Sequence, residues 1–298
     1  MVLILVGTAS WTDPTLLRSG WYPAEARDAA SRLRYYAAHF PLVEIDATYY
    51  ALPRPENARR WAERTPAGFV FDCKVFRLFT RHLTPADALP PDLRPRAAGR
   101  SEEPVYYRDL PAEAREELWR RFREGLGPLQ AAGKLGVVLL QFPPWFTRRP
   151  ENVEHLLECS RRLEGFRIAV EFRHASWFAG GRAEETLRWE AEQGWIPVVV
   201  DEPQGTRASV PAIWEVPPCE IAVVRLHGRN RETWTARNLP SAAERFRYLY
   251  GEEELRQLVR KVRSLRATQV HVLFNNCYRD YGVRNAARFQ ELLAGSGS

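Results

Sequence analysis

The sequence predicts an α/β chain folded as a single (β/α)8 TIM-like barrel, and three observations lead there. Eight short β-rich runs alternate with amphipathic helical stretches. The chain has 298 residues, 45% of them hydrophobic, enough for one closed barrel with a large core. None of the helical stretches opens on a GxGxxG or Walker-type loop, which weakens the rival open, doubly wound sheet.

The β-rich runs are "LILVGTASW", "LVEIDATYY", "FVFDCKVF", "LGVVLLQF", "RIAVEFRH", "IPVVVDEP", "IAVVRLHG" and "VHVLFNN". Helical periodicity fills the intervals, as in "DAASRLRYYAAHF", "PENARRWAERT", "EELWRRFREGLGPL", "NVEHLLECSRRL", "AEETLRWEAEQG" and "EELRQLVRKVRSL". Two intervals break the beat. Thr84 to Leu110, after strand three, is rich in Pro, Arg and Ala and reads as a long functional or disordered loop. Gly228 to Leu255, after strand seven, carries Trp234, Tyr248 and Tyr250. The barrel is expected to span 1–293, with 294–298 a flexible tail.

Charge and cysteine usage narrow the class. The net charge is +6, a mild attraction to polyanions. Almost all the basic residues are arginine, and of the three lysines only Lys74 falls in an apolar run, where it needs a partner. Four scattered cysteines form no CxxC pair and are expected to be reduced, packed thiols. No stretch approaches 18 consecutive apolar residues and "MVLILVGTASW" has no basic leader, so a cytoplasmic location without membrane contact is expected.

Alternate residues of a strand face opposite sides. In "IAVEFRH", Ile168, Val170 and Phe172 suit the helix layer, so Glu171 and Arg173 point inward. The same reading sends Glu44, Asp46 and Thr48, Asp72 and Lys74, Gln141, Asp201, Arg225 and His227 into the barrel, with Thr8, Ser10 and Asn275 from strands one and eight. Burying so many ionisable groups costs several kcal/mol per ion unless they pair or meet a charged ligand. A polar cup at the C-terminal mouth therefore reads as a site.

Within that cup Glu44, Glu171, Asp201 and His227 are the candidate catalytic groups, since carboxylates with separated pKa values can divide acid and base roles. Lys74, Gln141, Arg173, Arg225, Asn275 and Asn276 are the candidate substrate ligands, Arg173 and Arg225 as a clamp for phosphate. Trp11, Tyr49 and Trp177 are candidate stacking surfaces within an aromatic rim that also holds Trp21, Tyr22, Tyr50, Trp145, Trp234 and Tyr278. One asparagine of "FNNC" is expected to hold its loop instead. A divalent metal could draw on Glu44, Glu171, Asp201, His174 and His227, but no HxH or HExxH spacing supports it, and the cofactor stays unassigned. His39, His155 and His271 read as helix, surface or packing residues.

The blocks "GTASW", "LVEIDATYY", "LLQFPPWF", "VEFRHASW", "VVRLHGR", "RFRYLYGEEEL", "FNNC" and "RNAARF" resemble, in order and over nearly the whole chain, the YecE-like family of unknown function. The resemblance implies a TIM-like barrel and supplies no settled reaction. Two departures stand out: Asp46 and Ala47 where the family tends to read "EINSTFY", and Arg81 between Thr80 and His82. The residues themselves suggest a hydrolase- or lyase-like enzyme acting on a sugar-phosphate-containing small molecule or nucleic acid. A noncatalytic nucleic-acid-binding protein and a glycosidase with paired carboxylates are the alternatives.

Overall fold

The computed structural model describes residues 2–94, 103–206 and 208–295. Eight parallel strands close into a barrel in sequence order: β1 (Leu3–Ala9), β2 (Leu42–Ile45), β3 (Val70–Lys74), β4 (Leu135–Gln141), β5 (Ile168–Glu171), β6 (Ile196–Asp201), β7 (Cys219–Leu226) and β8 (Ala267–Phe274). The seam is a long register between β1 and β8, from Leu3 opposite Gln269 to Thr8 opposite Phe274. Gly7 lets β1 pass close to β2, since a Cβ there would lie 1.9 Å from the Leu42 carbonyl oxygen.

Helices wrap the strands. α1 (Pro14–Leu17) and α2 (Ala29–Ala37) follow β1, while α3 (Ala47–Tyr50) and α4 (Pro55–Glu63) follow β2. α5 (Ala112–Ala131), α6 (Pro150–Arg162) and α7 (Arg182–Glu192) precede β4, β5 and β6, α8 (Arg231–Trp234) and α9 (Glu252–Arg263) follow β7, and α10 (Tyr281–Gly295) ends the described chain. Their ends carry the expected signals. Asp28 accepts from Ser31 N at 2.7 Å to cap α2, Pro55 and Pro150 open α4 and α6, and α9 starts on Glu252, Glu253 and Glu254 and finishes with Arg260, Lys261 and Arg263, matching its dipole.

The two expected excursions are present. Thr84 and Val105 exchange backbone hydrogen bonds of 2.9 and 2.8 Å, which fastens the base of the first, and Leu89, Tyr107 and Leu110 are buried. The expected loop thus carries more local order than its composition suggests, although 95–102 lie outside the described residues, as do 296–298 of the expected tail. α10 runs to Gly295, past the expected boundary at 293. A third departure was not expected: the connection 202–218 between β6 and β7 has no helix among its described residues.

The core has two compartments. Most apolar side chains fill the layer between strands and helices, among them the stacked rings of Phe142, Phe146, Phe172, Trp177 and Trp189. Inside the barrel Leu42, Val137, Leu139, Ala169, Ile221, Val223 and Leu273 form a smaller cluster. Polar residues sit above it.

Candidate active site at the barrel mouth

Arg225 is the centre of the polar cup and is fully buried. Its Nε donates to Glu44 Oε2 at 3.0 Å and its Nη2 to Glu44 Oε1 at 2.6 Å, a two-pronged pairing across the barrel. Its Nη1 donates to Gln141 Oε1 at 2.8 Å and also to Glu171 Oε2. The other oxygen of Glu171 accepts from Arg173 Nη1 at 3.0 Å, and Arg173 Nη2 lies 3.1 Å from Glu202 Oε2. The result is an alternating series, Glu44, Arg225, Glu171, Arg173, Glu202, drawn from β2, β7, β5 and the end of β6.

Burial by itself lifts the Glu171 carboxyl, but the charge of Arg225, with that of Arg173, outweighs it and holds it well below the usual range. Burial keeps Glu44 raised against the opposing pull of Arg225 and Lys74. His227 is pushed down to about 3 by burial and then by Arg173, so it is neutral at pH 7. Its Nδ1 lies 2.7 Å from the Asn275 amide nitrogen, which places the ring proton on Nε2. That Nε2 is buried, 3.4 Å from Glu171 Oε1, and makes no hydrogen bond among the described residues.

Glu202 is pushed up to about 7, chiefly by burial and against the pull of Arg173. Its Oε1 accepts from Val210 N at 2.7 Å. Because its folded-state value lies above the unfolded one, its contribution to stability is full below about pH 4 and is lost as pH rises through about 7. Glu202→Gln should therefore flatten the melting temperature across that interval. A variant with the parental slope would refute this placement of the proton.

Lys74 is held by Asp46 at 3.0 Å and lies 4.3 Å from the centre of the Tyr49 ring. Lys74 and Arg173 keep some access to solvent, with side chains 11% and 14% exposed, whereas Glu44, Glu171 and Arg225 have none. Trp234, from the excursion after β7, covers Arg173 with its ring centre 5.1 Å from the guanidinium carbon. The exposed Trp145 stands beyond His82, 5.8 Å from its ring.

Several expected site residues are placed elsewhere. Asp201 is the clearest correction: it shares its register with Leu226, whose face is the outer layer, while Val200 pairs with Arg225. Asp201 instead binds Arg229 Nη2 at 2.8 Å and the Tyr250 hydroxyl at 2.7 Å, and Glu202 takes the inward position. Thr8 likewise pairs with Val43 and meets Tyr36 of α2, and Ser10 turns the chain with a φ of 81°. Trp11 packs edge-on to Trp61 of α4, and the fully buried Trp177 donates to Phe146 O at 2.7 Å, so both belong to the outer layer. Asn276 is the loop-holding asparagine, donating to Tyr248 O and Asn285 Oδ1 at 2.8 and 2.9 Å. Arg225 has no face free for a phosphate clamp.

Asp72 and His271 form a pair that was not expected. His271 Nδ1 lies 2.8 Å from Asp72 Oδ2, both groups are fully buried, and Val137 N donates to Asp72 Oδ1 at 2.9 Å. His271 is two residues before Leu273, the register partner of Arg225, which puts the pair below the cup. His174 caps the turn Ala175–Trp177, accepting from Ser176 N at 3.0 Å. Among the described residues no three His, Cys, Asp or Glu side chains are grouped to hold a metal ion, all four cysteines are free, and no helix is long and apolar enough to cross a membrane.

These features define a parallel eight-stranded α/β barrel with an ion-paired polar cup at the C-terminal ends of its strands. A sequence profile described as "Protein of unknown function DUF72" matches residues 5–298, and the chain belongs to that family. It is 32% identical to the UPF0759 protein YunF of Bacillus subtilis over 98% of this chain and 95% of that one. It is 30% identical to the UPF0759 protein YecE of Escherichia coli K12 over 70% of this chain and 62% of that one. A crystal structure of a DUF72 family protein from Enterococcus faecalis V583 superposes with a TM-score of 0.79 at 27% identity, covering 98% of this chain and 96% of that one. One from Thermotoga maritima MSB8 superposes with a TM-score of 0.73 at 29% identity, covering 98% and 99%.

Proposed function

We propose that the chain is a hydrolase- or lyase-like enzyme that takes a sugar-phosphate-containing substrate, nucleotides and nucleic-acid ends included, at the barrel mouth. The observation that carries this reading is the division of the cup into two levels. The buried level, Glu44, Arg225 and Glu171, satisfies itself and fixes the geometry. The upper level, Lys74 on Asp46 and Arg173 between Glu171 and Glu202, keeps two partly exposed cations that a bound anion could meet, while Gln141 on Arg225 and Asn275 on His227 are available for hydroxyl or base-edge contacts. Glu202, which changes protonation near neutral pH, is the group able to move a proton, and neutral His227 offers the N–H of its Nε2 beside Glu171.

The experiment is a thermal-shift series with inorganic phosphate, ribose 5-phosphate, a mononucleotide and neutral sugars. Phosphate-bearing compounds should raise the melting temperature saturably, since they bind the folded state preferentially. Lys74→Met and Arg173→Met, each compared with its own ligand-free melt, should lose most of that rise. A larger shift with neutral sugars would favour a glycosidase stacking substrate on Tyr49 and Trp145. Nucleotide binding that falls steeply with salt and yields no product under any condition tried would favour a binding protein. Either outcome would overturn the proposal.

A further inference from the structure

The missing helix between β6 and β7 leaves a space at the opposite end of the barrel from the mouth. A cavity of about 290 Å³ lies there, lined by Leu187, Glu190, Trp195, Pro197, Pro217 and Cys219 among others, at the N-terminal ends of β6 and β7. It adjoins a groove beside Trp214 where the absent helix would otherwise pack. Its walls are mostly apolar. Glu190, from α7, is only 3% exposed and lines the cavity, yet among the described residues its carboxyl has no hydrogen-bond or ionic partner. An unpaired buried carboxyl is costly, and the apolar neighbours offer it nothing. We propose that this cavity is a second ligand site, taking a small apolar or aromatic molecule that carries a primary or secondary ammonium group, with the ammonium on Glu190.

The chemistry follows from shape and charge. Trp195 and the prolines suit a flat apolar body, and Glu190, the buried acid among the lining residues, selects a cationic head over an anionic one. The other ionisable groups around Glu190 are Arg167 and Glu220, both exposed at the rim, Glu215, exposed on the connection, and the half-buried Cys219. Burial alone holds Glu190 up at about 8, so the empty site is protonated at neutral pH. Seating an ammonium ion requires that proton to leave. Affinity should therefore rise with pH up to about 8 and fall again only as the amine itself loses its charge.

Benzylamine is the probe, with benzyl alcohol and benzoate as neutral and anionic controls, on the full chain. Benzylamine should raise the melting temperature saturably, more at pH 8 than at pH 6, and slow alkylation of Cys219 without slowing that of Cys277. Benzyl alcohol and benzoate should act at least tenfold more weakly. Glu190→Gln, which keeps the shape of the side chain, should lose the benzylamine effects while folding normally. An equal response to benzyl alcohol, a response retained in Glu190→Gln, or no saturable shift up to the solubility limit would overturn the assignment. Because this site is remote from Lys74 and Arg173, none of those outcomes bears on the proposed function of the mouth.

Discussion

Arg225→Met is expected to lower the free energy of unfolding by about 3–5 kcal/mol at pH 7, the usual cost of removing one partner from a buried charge pair. Among the described residues the arginine is the only group that touches both Glu44 and Glu171. Without it both carboxylates stay buried, Glu44 with no cation in contact and Glu171 dependent on Arg173. Acidification should restore part of the loss, because a protonated Glu44 no longer carries an uncompensated charge. Urea denaturation of parent and variant at pH 7 and pH 5 measures both effects. A variant that unfolds within 1 kcal/mol of the parent at pH 7, on the order of experimental scatter, would show that the network is dispensable for folding. Its activity could then be examined in isolation.

Gly136→Ala should act with comparable force from inside the barrel. A Cβ on Gly136 would lie 2.2 Å from Asp72 Oδ1, 2.6 Å from Val70 Cγ1 and 3.1 Å from His271 Cε1. None of these atoms is the tip of a long, yielding side chain. The methyl group must push Asp72 off His271 or shift β4, so overpacking of about 1–3 kcal/mol is joined by the loss of a buried pair. The expected result is a fall in stability larger than Arg225→Met would give per atom changed, read by the same denaturation series. The double change Gly136→Ala with Asp72→Ala should be less than additive, since the second substitution removes the obstruction met by the first. Additive losses would mean that the glycine serves the backbone alone.

The barrel was readable because strand and helix periods alternate along most of the chain and no phosphate loop competes for the strand ends. Side-chain parity placed Glu44, Lys74, Gln141, Glu171, Arg225 and His227 correctly because each has apolar neighbours on both sides. It failed on β6, where Val198, Val199 and Val200 make both faces apolar and the adjacent acids Asp201 and Glu202 satisfy either choice. On β1 the inward positions are Gly7 and Ala9, which carry no polar signal, so the hydroxyl of Thr8 misled. His271 shares its parity with Asn275 and could have been sent inward by the same rule. Trp11 and Trp177 show the limit for aromatics: a ring just past a strand is as able to slip beneath a helix as to line the mouth. Whether an arginine is free or already engaged depends on Glu44 meeting it across 181 residues, and no local pattern carries that information.

That separation also bears on how the protein is made. Glu44 leaves the ribosome long before Arg225, and Glu171 follows well ahead of β7, so both acids emerge with their principal counter-ion still unsynthesised. The two N-terminal thirds of the chain can collapse around their helices, but the cup cannot close until β7 arrives, and the β1–β8 seam must wait longer still. Late, non-local closure of this kind slows folding and leaves exposed strand edges on the nascent chain. Fragments ending before Cys219 should therefore behave as aggregation-prone intermediates, and the need for chaperone protection should end only with the last strand.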